Sequence, residues 1–92
     1  MKATDSFKLI EGRFDTEDAS EILSSLIESK IKFHKHKIFS NEIRFGTKDE
    51  HSLERIQALQ LSLEKILNLI KEARLNQKKV TIHSTISIEI DT

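Results

Sequence analysis

The chain has 92 residues, 37% of them apolar and 33% charged, with 15 basic residues balanced by 15 acidic ones. This allows one modest core, is too apolar for a disordered chain, and is too neutral overall for a polyelectrolyte binder. The absence of cysteine excludes disulfides, thiol catalysis and thiolate metal sites.

The charge is segregated along the chain. Asp15, Glu17, Asp18, Glu21 and Glu28 precede a stretch in which Lys30, Lys32, Lys35, Lys37, Arg44 and Lys48 face the single Glu42. A smaller basic cluster, Lys71, Arg74, Lys78 and Lys79, is offset by Glu72. Such segregation is usual for a solvated face and also suits an anion site or a self-complementary contact.

In chain order, FKLIEGRF (7–14) predicts a first strand. Asp15 is the expected N-cap of a helix over about 16–29, with Glu17 and Asp18 favoured in its first turn. Ala19, Ile22, Leu23, Leu26 and Ile27 follow helical spacing and predict a single apolar stripe. KIKFHKHKIF (30–39) predicts a second strand, Ser40-Asn41 a turn, and NEIRFG (41–46) a third strand. Thr47-Lys48-Asp49-Glu50 reads as a capping box. It opens a helix of about residues 48–76, with Leu53, Ile56, Leu59, Leu63, Ile66, Leu67, Ile70 and Ala73 on one face. VTIHSTISIEI (80–90) alternates as a last strand, with Val80, Ile82, Ile86, Ile88 and Ile90 on one side.

This order predicts a single α+β domain over residues 1–92. Its expected form is a ferredoxin-like βαββαβ split, a four-stranded antiparallel sheet of order 4-1-3-2 with both helices on one face. Strand two then forms a sheet edge, and its lysines guard that edge against pairing.

The candidate chemistry is sparse. On a strand, His34 and His36 point the same way, as a metal pair requires. However, His83 would lie about 14 Å away across three strand spacings, His51 on the other side of the sheet, and the flanking lysines repel a cation. No metal and no cofactor is expected within one chain; a site shared across a dimer stays open. There is no phosphate-cradling loop, and His83 and Ser84 face opposite ways, so the reading leans away from an enzyme. Nucleic acid is not favoured, because the third strand lacks a stacking signature and Phe7 and Phe14 fall on opposite faces.

The expected function is binding, to a second copy or to a partner protein. The candidate interface is Leu69, Leu75, Thr81, Thr85 and Ile90, on the other sheet edge and the overhanging second helix. The alternative is an anion- or nucleic-acid-binding module using Lys32, Lys35, Lys37 and Arg44. No apolar run approaches the roughly 20 residues of a membrane span or makes a signal peptide, so the expectation is a cytoplasmic protein without a membrane partner.

Overall fold

The computed structural model describes residues 3–46 and 49–91. Strand β1 (Ala3–Phe14) leads into helix α1 (Thr16–Phe45), followed by helix α2 (Glu50–Leu75) and strand β2 (Val80–Ile90). The α+β mixture is as expected, and the first and last strands pair antiparallel. The four-stranded ferredoxin-like sheet is overturned. Among the described residues the sheet has two strands, and residues 30–45 continue α1 instead of forming a hairpin.

Helical phase explains the difference. Ala19, Leu23, Ile27, Ile31 and Ile38 lie at spacings of about one or two helical turns, so the stripe that begins the helix runs on through KIKFHKHKIF without a break. No glycine or proline interrupts residues 16–45. Gly46 ends the helix in the left-handed region (φ 64°, ψ 17°), its N–H donating to the Glu42 carbonyl at 3.0 Å. That conformation is cheap only for glycine, and Arg44 in the last turn complements the helix dipole. With no strand two there is no edge for its lysines to guard.

Helix α2 has Asp49 as its N-cap. The expected box residues Thr47 and Lys48 lie outside the described residues. Ile27 and Ile31 of α1 pack against Ile56 and Leu59 of α2, with Ile38, Leu63 and Ile66 around them. The stripe of α1 is not single. Ile22 and Leu26 turn instead toward Leu9 and Ile10 of β1, where they line an open groove with Ser25 and Ser29.

The ribbon carries one irregularity, a bulge between Lys8 and Ile10. The extra residue restores the phase, so Phe7, Ile10 and Phe14 share a face, paired opposite Ile86, Ser84 and Val80. Strict alternation put Phe7 and Phe14 on opposite faces; the bulge at Leu9 corrects that. The opposite face is polar, with a hydroxyl contact between Ser6 and Ser87 (3.4 Å).

Among the described residues, helices and ribbon share one buried cluster, a hub of Ala19, Ile70 and Ile82, flanked by Ile10, Phe14, Leu23 and Val80. Beyond it the two arms diverge. The Cα envelope measures 51 × 35 × 15 Å, too broad for a helix pair lying flat along a ribbon at about 10 Å. The radius of gyration is 16.8 Å, against about 12 Å for a compact chain of this length. The accessible surface is 7489 Å², where a compact monomer of 10.6 kDa exposes about 5,500 Å².

Candidate functional site

The four cations proposed for anion binding do not converge. On a helix Lys32 and Lys35 share one side, while Lys37 and Arg44 share another, more than a quarter-turn round the axis from either. Lys32 and Lys35 line a shallow groove with His36 and Phe39. Lys37 instead lies near Asp49. The basic hairpin that was to gather them is absent.

His34 and His36 are also separated. Two residues apart on a helix they point about 200° apart, so the same-side geometry expected of a strand is lost. His36 faces outward. The His34 Nδ1 contacts the Ser52 hydroxyl at 3.3 Å, and that serine is fully buried between the helices. The Ser52 hydroxyl donates to Asp49 Oδ2 (2.9 Å), its N–H donates to Asp49 Oδ1 (3.0 Å), and the Asn41 amide donates to Asp49 Oδ2 (3.2 Å).

A serine, a histidine and an aspartate in contact invite comparison with a nucleophile-base pair. The bonding contradicts it. The serine proton points at the carboxylate and not at the imidazole, the carboxylate does not orient the histidine, and no substrate reaches a fully buried hydroxyl. The group is a clasp that caps α2 and ties it to α1. Its members lie on separate helices, so only the helix pairing reveals it; the local signal was Asp49 three residues before Ser52.

The clasp has a pH signature. The Asp49 carboxyl is held below its ordinary value of 3.8, first by the Ser52 N–H, then by the Ser52 hydroxyl, with weaker attraction from Lys37 and His51. A carboxyl whose folded pKa is depressed contributes stability present above its unfolded pKa and lost as pH falls through the folded one. The melting temperature of the parent should therefore fall in acid by more than that of Asp49→Ala, which should already melt lower at neutral pH. Parallel pH profiles for the two proteins would refute the clasp.

On the polar face of the ribbon, His83 Nδ1 meets both Glu11 carboxylate oxygens at 3.0 and 3.1 Å, a direct cross-strand pair. Among the described residues no group of three or more His, Cys, Asp or Glu side chains gathers as a metal site. No helix there is long and apolar enough to cross a membrane.

The distinctive surface is apolar. Past the hub, the inner face of the ribbon exposes Phe7, Ile86, Ile88 and Ile90, and α1 exposes Phe33, Phe39 and Ile43. Of the proposed interface residues, Ile90 lies on that inner ribbon face. Thr81 and Thr85 alternate onto the polar one. Leu69 and Leu75 are exposed on α2, about 120° apart round its axis. Neither Phe7 nor Phe33 is evident from sequence as a surface feature: the bulge conceals the face of the first, and strand-like alternation conceals that of the second.

No protein-family model matches the chain, and neither curated proteins nor solved structures include one significantly similar to it.

Proposed function

We propose that this chain is a self-associating interaction module, built as one half of a homodimer. The observation that carries the reading is the surface it leaves open. Its 7489 Å² exceed the surface of a compact monomer by about 2,000 Å². Burying that much on each chain matches the large interfaces of obligate dimers, roughly 2,000–5,000 Å² in total. Large apolar side chains stand exposed on the inner ribbon face and on the outer side of α1. A formal net charge of zero lets two copies approach without long-range repulsion.

Light scattering at micromolar concentration tests this. The expected mass is twice the 10.6 kDa of the chain. Ile88→Lys, which places a charge on the exposed inner ribbon face, should shift it toward the monomer while far-UV circular dichroism stays helical. A parent protein that scatters as 10.6 kDa would rule out the homodimer.

A further inference from the structure

The open surface has a pattern that the core does not use. Along α1, Ile22, Leu26, Ser29, Phe33, His36 and Ser40 follow one another at alternating spacings of four and three residues, and Ile43 continues the series. A repeat averaging 3.5 residues is the spacing of a helix-to-helix seam, and it gives a straight face to a second helix crossing at about 20°. The face that α1 turns toward α2 is a different one, carrying Ala19, Leu23, Ile27 and Ile31. The helix thus has two apolar faces and one helical neighbour.

The second face is open from Ser29 onward. Phe33 is 62% exposed and Ile43 68%. Nearer the hub, Ile22 and Leu26 form one wall of the groove whose other wall is Leu9 and Ile10. That groove is the floor of the cleft between the diverging arms. It is wide enough to take a large side chain.

The charge on α1 specifies the occupant. Its first half carries Asp18, Glu21 and Glu28, its second half Lys30, Lys32, Lys35 and Lys37, then Arg44. Asp18 borders the seam at one end and Arg44 at the other. A parallel pairing of two such helices would set acid against acid and base against base. An antiparallel pairing sets each acidic half against a basic half, and a twofold axis across the middle of the helix makes both halves satisfied at once.

We infer that α1 pairs antiparallel with α1 of a second copy through the face bearing Leu26, Ser29 and Phe33, each copy's Phe33 entering the cleft of the other. This rests on the homodimer reading and names the surface that makes it. Small Ser29 near the axis lets the backbones approach closely. Lys30 and Lys32 border the seam on its two sides there, with stems long enough to carry their charges to solvent. Asp18 of one copy meets Arg44 of the other, twice in each dimer.

Two charge-reversed variants test the seam. Asp18→Arg alone and Arg44→Asp alone each place like charges together at both ends, and each should weaken self-association on the order of tenfold. Mixed together, the two variants should recover it as a heterodimer, since every end contact is then of opposite sign. Native mass spectrometry reads the heterodimer directly, and Phe33→Asp should dissociate the parent without loss of helical circular dichroism. A parent that is monomeric fails the homodimer reading itself. A parent that is dimeric, with association unchanged in all three variants and no preference for the mixed species, leaves that reading standing and overturns the α1 seam.

Discussion

Replacing Ile70 with alanine should destabilise the protein by about 2–5 kcal/mol and lower its melting temperature by roughly 10 °C or more at fixed protein concentration. Ile70 is 4% exposed and sits with Ala19 and Ile82 in the buried cluster that joins helices to ribbon. The ribbon depends on that cluster, because a two-stranded sheet without support is marginal in water. The loss therefore extends beyond the methylenes removed and includes the anchoring of both strands. Ile88→Ala on the outer ribbon, already 49% exposed, removes little burial from the single chain and serves as the comparison. Chemical denaturation of the two variants, followed by circular dichroism, measures the difference. A cost below about 1 kcal/mol for Ile70→Ala would mean that the hub does not hold the arms together.

Lys35→Pro should be the most damaging change at an exposed position. Lys35 lies exposed in the interior of α1, so its side chain contributes little to the core. Proline there removes a backbone hydrogen bond and drives its ring into the preceding turn, at a cost of about 3 kcal/mol or more. Lys35→Ala keeps the backbone donor and raises helix propensity, so it should be neutral or slightly stabilising. The pair isolates the backbone from the charge. A kink at this point also misaligns Phe33 and His36, so the proline variant should lose self-association together with helical signal. A Lys35→Pro protein with undiminished helical circular dichroism would contradict a continuous α1.

Residue 35 also lies in the stretch, from Lys30 on, where the sequence stops being legible. The start of α1 at Asp15, nearly all of α2, and β2 from Val80 to Ile90 could be read directly, because each shows one periodicity and one terminal signal. KIKFHKHKIF shows two. Ile31, Phe33, Lys35 and Lys37 alternate as in a strand, while Ile27, Ile31 and Ile38 keep helical phase, and the β-branched and aromatic content favours the wrong choice. Negative information decided it, since no helix stop precedes Gly46. The bulge at Leu9 was illegible for another reason. It adds a residue without changing composition, and only the cross-strand register shows that Phe7 joins Ile10 and Phe14. The Asp49–Ser52–His34 clasp needed the helix pairing before its members could meet.

The position of the hub also governs how the chain finds this structure. The strands are separated in sequence by the entire helical hairpin, so pairing them from a random coil closes a long loop at a large entropic cost. Docking α1 onto α2 removes most of that cost, because it brings Phe14 and Val80 side by side at the hub. The ladder then closes rung by rung, like a zipper, from Phe14–Val80 outward to Ala3–Ile90. On this order, Ile70→Ala at the hub is expected to slow folding and Ile88→Ala on an outer rung mainly to speed unfolding, a division that stopped-flow kinetics of the two variants measures.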